Sequence, residues 1–272
     1  MKSIWIIFLC ISMPICAIEK RIVVVTAAYN NRHYCERMLQ SVFLQKYENW
    51  HLIYVDDCSI DGSYEFVQQR IQDADMEAKV TLIKNQSHNG RAIENQYKAI
   101  YMCNDKDIIV IIDGDDWLAH DQVFAYLNYV YSTENVWLTY GQFIEYPSGN
   151  KGFCSPMPQH IITCNAFREY SRIPSHLRTF YAGLFKKIKK TDLMYDGEFM
   201  SMTGDMAAMI PMIEMACDHF KFIEHVLLIY NAENPLNDHK KSKELQRKLD
   251  LYIRSLNRYE KISTPFNDDT MR

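Results

Sequence analysis

Ile108-Ile109-Val110-Ile111-Ile112-Asp113-Gly114-Asp115-Asp116-Trp117 is the stretch whose reading decides the fold. Five consecutive branched apolar residues read as a strand buried on both faces, the kind that sits in the middle of a parallel sheet. The run ends in three carboxylates around one glycine. In open α/β sheets ligands bind just beyond the carboxyl ends of such strands, so these acids stand where chemistry is expected. Two aspartates separated by one small residue can hold a hard divalent ion through oxygen, and that ion can bind a diphosphate. Asp and Gly are also common turn residues, so these ten residues alone leave a plain acidic turn equally open.

The chain upstream repeats the pattern. Residues 22–26 are another β-branched run, leading into Ala27-Ala28-Tyr29-Asn30-Asn31. No G-x-G-x-x-G occurs there, which counts against a dinucleotide-binding Rossmann enzyme. Tyr34, Met38, Leu39, Val42 and Phe43 then recur at helical spacing. Residues 51–55 read as the next strand, ending in Asp56-Asp57-Cys58-Ser59-Ile60-Asp61-Gly62, and Tyr64, Val67 and Ile71 mark the inner face of the helix after it. Residues 80–84 are a third strand leading to Asn89-Gly90-Arg91, and Ile93, Tyr97, Ile100 and Tyr101 carry the helix that precedes the central strand. Strands alternating with helices of this length mean βαβ units and a parallel sheet. Each strand is followed by a polar cluster, so the clusters converge along one sheet edge.

Beyond Trp117 the pattern loosens. Residues 120–131 read as a helix, 136–140 as a strand, and 146–175 as irregular structure holding four of the eight prolines. A loop that long inside a compact domain is often a binding region or lid. A Met-rich helix is expected over 205–216, a strand over 223–230, a polar turn over 231–239, and an amphipathic helix over 240–261. In that last helix Leu245, Leu249, Tyr252, Ile253 and Leu256 face inward.

At 272 residues, 48% apolar and 24% charged, the composition is that of a packed globular protein of one large domain or two small ones. A formal charge of −4 argues against a nucleic-acid partner. Lys2 precedes an apolar run over 4–11, followed by Ser12, Pro14 and Ala17, a pattern that resembles a secretory signal peptide cleaved after Ala17. Residues 4–18 are short for a membrane span, which needs roughly 20 residues. An uncleaved anchor or an apolar first strand are the alternatives, although the run after Arg21 makes the better first strand. The expected division is 1–18 as signal peptide or N-terminal anchor and 19–272 as the folded domain. The chain would then sit in the secretory-pathway lumen or at a membrane, or in the cytoplasm if the leader is not a signal. Cys10 and Cys16 lie in the leader. The other six cysteines show no C-x-x-C pair, which argues against zinc, and they leave disulfides and buried thiols equally open.

Taken together, Thr26-Ala27-Ala28-Tyr29-Asn30, the Val55 to Gly62 segment, Asn89-Gly90-Arg91 and Asp113-Gly114-Asp115-Asp116 resemble the ordered motif set of family 2 glycosyltransferases with the GT-A fold. The resemblance covers residues 21–120 closely and the remainder loosely. It implies an α/β fold, a Rossmann-like mostly parallel sheet flanked by helices. Residues 19–120 would form the nucleotide-sugar half and 121–272 an irregular acceptor half. It also implies roles. Tyr29 would lie over the nucleobase, expected to be that of a UDP-sugar, and Asp57 would accept a hydrogen bond from the base, with Asp61 closing the same loop. Arg91 would sit by the base or diphosphate, where a guanidinium gives charge-assisted hydrogen bonds. Asp113 would contact the ribose or the metal's water shell, and Asp115 would ligate Mg²⁺ or Mn²⁺ directly. Asp116 would support either, or cap the next helix. His239 resembles the C-terminal histidine that completes the metal site in some members.

The implied reaction is non-processive, metal-dependent hexosyl transfer with inversion, from a nucleotide-sugar donor to a glycan, lipid or protein hydroxyl. Inversion needs one general base, and Asp205, after Gly204 at the start of the Met-rich helix, is the best match. Glu198 and Asp196 stand behind it, and a helix-capping Asp would look the same. His176 and Arg178 are further candidates for the acceptor or the diphosphate. Members that polymerise processively carry Q-x-x-R-W and several membrane spans, and neither is found here. Two rivals remain. A haloacid-dehalogenase-type phosphatase also places D-x-D after a buried strand, but Trp117 stands where it wants Thr or Val. A non-catalytic GT-A-like binding module would have no need of the acids.

Overall fold

The computed structural model describes residues 19–171, 174–235 and 242–267. The leader and His239 lie outside these residues. The first half is built as its hydrophobic runs require. Strand β1 (Ile22–Ala28), helix α1 (Cys35–Phe43), β2 (Trp50–Asp56), α2 (Ser63–Asp73), β3 (Val80–Lys84), α3 (Ala92–Tyr101) and β4 (Ile108–Ile111) follow one another in strict alternation. Ile22 to Val25 and Ile108 to Val110 are completely buried. Each such side chain contributes about 1.5–3 kcal/mol of burial, which makes β1 and β4 the centre of the core.

The second half supplies β5 (Trp117–Leu118), α4 (Val123–Thr133), β6 (Leu138–Tyr146), α5 (Gln159–Thr163), β7 (Arg178–Tyr181), α6 (Ala182–Lys186), β8 (Met194–Tyr195), β9 (Glu198–Phe199), α7 (Gly204–Ala216), β10 (Phe220–Asn231) and α8 (Lys243–Ser255). One sheet runs through both halves in the order β3-β2-β1-β4-β7-β6-β10-β5, and β8 and β9 form a small separate hairpin. Pairs β3–β2, β2–β1, β1–β4 and β6–β10 are parallel. Strand β7 is antiparallel to both β4 and β6, and β5 is antiparallel to β10. The sheet is thus mostly parallel, as expected.

The chain builds outward from β1 through β2 to β3, then returns to place β4 on the other side of β1. That reversal puts a topological switch point between β1 and β4, and a crevice outside their carboxyl ends. Helix α1 packs on α2 and β5, while α3 packs on β1 and meets α6 and α7. The segments after β1 and β4, starting at Tyr29 and Asp113, therefore open into one crevice.

Several expected bounds change. The strand read over 136–140 runs on to Tyr146, and that over 223–230 extends to Phe220–Asn231 with register shifts near Val226. Among the described residues of 147–175 the one helix is the short α5, in keeping with their lack of period. The final helix stops at Ser255 rather than 261. There the chain leaves the helix to bond α7: the Ile262 N–H donates to the Met215 carbonyl at 3.1 Å and the Tyr259 N–H to Glu214 Oε2 at 3.1 Å. Cys35, Cys58, Cys103, Cys154, Cys164 and Cys217 are all free thiols. No helix among the described residues is long and apolar enough to cross a membrane.

Candidate active site

A cavity of about 720 Å³ occupies the crevice. From the first half it is lined by Tyr29, Asp57, His88, Arg91, Asp113 and Asp115, and from the second by His176, Arg178, Asp205, Tyr230 and Asn234. Gly114 lets the loops after β1 and β4 close on each other. Its carbonyl accepts from Asn31 Nδ2 at 2.6 Å, and a Cβ there would fall 2.5 Å from that nitrogen and 2.7 Å from the Ala28 Cβ. Gly204 does the same for the opposite wall. A Cβ at 204 would lie 2.7 Å from the Ile93 Cβ, so only glycine lets the start of α7 approach α3 this closely.

On the first-half side, Tyr29 stacks on His88 with ring centroids 3.8 Å apart and planes inclined by 22°. The Asp57 carboxylate accepts from Asn85 Nδ2 at 2.6 Å and the Gly90 N–H at 2.9 Å, and it shares the Asn89 N–H between its oxygens; His88 Nδ1 bonds the Asp57 main-chain carbonyl at 3.2 Å and lies 2.8 Å from Oδ2. Arg91 lines the cavity and forms an ion pair with Glu198, which ties the β8–β9 hairpin to the rim. Asp61 is not a cavity residue. Its carboxylate accepts from the Arg32 and Ser63 N–H groups, both at 3.0 Å, and from the Ser63 hydroxyl. It organises the turn into α2 and, through the Arg32 N–H, ties that turn to the segment after β1. These hydrogen bonds hold its carboxyl below the usual range against the opposing effect of burial.

The acids after β4 divide their work. Asp113 faces the cavity and pairs with Arg178 Nη2 at 3.4 Å. Asp115 also lines the cavity, and its Oδ2 accepts from Asn234 Nδ2 at 2.7 Å. Asp116 is completely buried. Its Oδ1 accepts the Asn231 N–H at 2.8 Å, and its Oδ2 has no hydrogen-bond partner among the described residues. Asp116 caps no helix, because Trp117 enters β5 directly. Burial, reinforced by Asp115 and Asp113, pushes its carboxyl well above the usual carboxylate range. Burial likewise raises Asp113; Arg178 opposes this and Asp205 adds to it.

Strand β7 brings in the positive charge. Its antiparallel register sets Arg178 opposite Ile111, at the carboxyl end of β4. The guanidinium is buried and reaches Asp113 on one side and Asp205 Oδ2, at 3.1 Å, on the other. Asp205 lies in the first turn of α7, and the residue at that helix's N-cap is Thr203, which makes no side-chain cap. The carboxylate is thus committed to Arg178 and the cavity. Glu198 pairs with Arg91, Asp196 sits exposed in the β8–β9 turn, and neither is among the residues lining the cavity.

Among the described residues, Asp113, Asp116 and His176 offer ligand atoms that all lie within 4.8 Å of one another. Two carboxylates and an imidazole suit a hard or borderline divalent ion such as Mn²⁺ or Mg²⁺. The partnerless Asp116 Oδ2 is what such an ion would satisfy, since a buried unpaired carboxylate is costly. Burial, aided by Arg178, drives the His176 pKa well below its ordinary value, which keeps the ring in its neutral, ligating form. The residues therefore fit a metal. Asp115, expected as a ligand, lines the same cavity with its Oδ2 on Asn234, and His239 lies outside the described residues. Of the side chains brought together, sequence reasoning missed His88 and Asn234. A histidine directly before Asn89-Gly90-Arg91 was a usable signal for the first; nothing marked the second.

Comparison with known proteins agrees with this geometry. The model of glycosyl transferase family 2 matches residues 23–192, more than half of the chain. TuaG of Bacillus subtilis, named for teichuronic acid biosynthesis, is 28% identical over 107 residues, 39% of this chain and 40% of its own. WcaA of Escherichia coli, named for colanic acid biosynthesis, is 33% identical over 117 residues, 40% of each chain. The match thus spans about two fifths of the length of these curated relatives. Among solved structures, S. aureus TarS in complex with UDP-GlcNAc superposes with a TM-score of 0.62 at 14% identity, covering 86% of this chain and 65% of that one. The mannosyltransferase PcManGT of Pyrobaculum calidifontis, in complex with GDP-Man and Mn²⁺, gives 0.52 at 16% identity, covering 80% and 58%. These likenesses fix a GT-A-like fold. With its buried strand, switch-point acids and a matching family model over most of the sheet, the chain belongs to glycosyl transferase family 2.

Proposed function

We propose that this chain moves one hexosyl unit per encounter from a nucleotide-sugar donor, with UDP as the expected nucleotide, to a hydroxyl of a glycan, lipid or protein. The reaction inverts the anomeric centre and depends on Mn²⁺ or Mg²⁺. One observation carries this reading: Arg178 joins Asp113, at the switch point, to Asp205, across the same cavity. A group for the departing diphosphate and a group for the incoming hydroxyl thus face one cavity. The UDP-GlcNAc of the TarS structure and the GDP-Man and Mn²⁺ of PcManGT support a nucleotide-sugar donor with a metal. The apolar leader would bring the chain to a membrane or into the secretory pathway.

In this reading Tyr29 and His88 hold the base, and Arg91 and Arg178 attract the diphosphate. A divalent ion held by Asp113, Asp116 and His176 would supply charge that neutralises the leaving group. Asp205 takes the proton of the acceptor hydroxyl, whose oxygen forms the new bond to the anomeric carbon. The bond from that carbon to the phosphate oxygen breaks as this happens, and its electron pair leaves on the nucleoside diphosphate. A single displacement of this kind inverts the centre. Arg178 orients the Asp205 carboxylate.

The test is turnover of a UDP-hexose panel by the full chain with Mn²⁺ and simple hydroxyl acceptors. Release of nucleoside diphosphate and an inverted product by NMR are expected. Asp205→Asn should lower kcat by about 10²–10⁴-fold, the usual worth of a general base, with donor affinity unchanged. Full activity in that variant would remove Asp205 from the role. No turnover of any donor by folded protein would leave the binding module as the better reading.

A further inference from the structure

Asp57 is the residue expected to read the base, yet its carboxylate is already full. Its side chain is 5% exposed. Three donors of the 85–90 turn make four hydrogen bonds to it, Asn85 Nδ2 and the Asn89 N–H to one oxygen, the Asn89 and Gly90 N–H groups to the other, and His88 Nδ1 lies 2.8 Å from Oδ2. An ionised carboxylate has about four acceptor positions, so little capacity remains for the edge of a base. The side chain that Asp57 presents to the cavity is His88, which is 43% exposed. Nδ1 bonds the Asp57 main-chain carbonyl at 3.2 Å, and a carbonyl, like the carboxylate beside it, only accepts, so Nδ1 must carry the proton; the imidazole is pinned by Asp57 at one edge and by Tyr29 across one face.

The stack also bears on where a base can go. Two rings 3.8 Å apart leave no gap for a third between them. A base must either displace His88 from Tyr29 or stack on the face that Tyr29 leaves open. The Asp57 hydrogen bond opposes displacement. We infer that His88 is the residue on which the donor's nucleobase stacks, that Tyr29 backs it, and that Asp57 is a positioning residue acting through His88 and the turn around it. This inference rests on the nucleotide-sugar reading and assigns its base contact. It predicts a site selective for a planar base rather than for the hydrogen-bonding edge of uracil.

The experiment is calorimetric titration of UDP, CDP and GDP into the full chain with Mn²⁺, for wild type, His88→Ala, His88→Phe and Asp57→Asn. Base–aromatic stacking is worth roughly 5- to 150-fold in affinity, so His88→Ala should weaken all three nucleotides by a factor in that range. His88→Phe keeps a ring and should recover most of the loss. Asp57→Asn should weaken the three by a similar factor without changing their ratio. Its effect should largely vanish in the His88→Ala background, because the two act as one unit. His88 is a loop side chain partly open to solvent, so its two variants stay informative even if Asp57→Asn fails to fold. Wild-type affinity or tighter binding by His88→Ala would overturn the inference, tighter binding meaning that His88 must leave for the base to enter. So would an Asp57→Asn change in the UDP-to-CDP ratio. If wild type bound no nucleotide at all, the donor reading itself would fail, and this inference with it.

Discussion

Replacing Asp116 by asparagine removes one negative charge while keeping the side chain's shape. The residue is completely buried and one of its oxygens takes the Asn231 N–H at 2.8 Å, a bond the amide oxygen can retain. The other oxygen has no partner among the described residues, and the neighbouring Asp113 and Asp115 oppose its charge. Without metal, therefore, the variant should be at least as stable as wild type to within about 1 kcal/mol, since the lost charge was uncompensated and the new amide can donate to a nearby carboxylate. With metal the two should part. An ion bound only by the native state at a hundred times its Kd stabilises by about 2.7 kcal/mol. In a domain of this size that is a rise in Tm of roughly 5–10 °C. Thermal unfolding followed by circular dichroism, with and without MnCl₂, measures both quantities. Wild type should show the rise and Asp116→Asn should lose it. A variant that kept the full metal-induced rise, or that melted far below metal-free wild type, would refute the assignment of Asp116 to a cation site.

Two further predictions concern the scaffold. Arg168 and Glu214 form a bidentate pair at 2.7 and 2.8 Å, almost wholly buried, which joins the irregular segment to α7, and Arg168 also donates to the Ile253 carbonyl of α8. Arg168→Ala leaves Glu214 charged and buried and should cost about 3–5 kcal/mol in urea unfolding, whereas replacing both by apolar residues should cost less than either single change. Burial and Arg21 push the His51 imidazole below its usual range, against an upward pull from Asp107. A depressed histidine binds its proton more readily when unfolded, so its contribution is present at neutral pH and is lost as pH falls through 6.5 toward the folded value. His51→Gln should flatten the stability profile below about pH 6.5, leaving the part of the slope contributed by His176.

The first half of the fold was legible because its strands are buried on both faces. Residues 22–26 and 108–112 are β-branched runs and 52–55 a continuous apolar one, patterns that no amphipathic helix would carry, and each ends in a polar cluster that marks the sheet edge. The second half was read less well, since its strands take their identity from tertiary partners. Arg178-Thr179-Phe180-Tyr181 opens with a charge and has no apolar alternation, yet it becomes a fully buried strand once β4 and β6 flank it. Its Arg178, a candidate for the acceptor or the diphosphate, links two acids, Asp113 and Asp205. The position of Asp205 at the start of α7 was legible because a carboxylate at a helix start is a local feature. The partition among Asp113, Asp115 and Asp116 could not be read locally: it is set by which oxygen Asn231 and Asn234 claim, and both come from the far end of β10 and beyond. Asp61 illustrates a mixed case, in which a motif residue holds its own turn through Ser63 and reaches the segment after β1 through the Arg32 N–H.

The central claim is that the crevice between β1 and β4 binds a nucleotide-sugar through a metal, and its most direct test is calorimetric titration of UDP-hexoses into the full chain with and without Mn²⁺, beside Asp113→Asn. The account predicts binding of a donor that requires the metal and is lost in the variant. Binding indifferent to both Mn²⁺ and Asp113, or none at all by the folded chain, would contradict it.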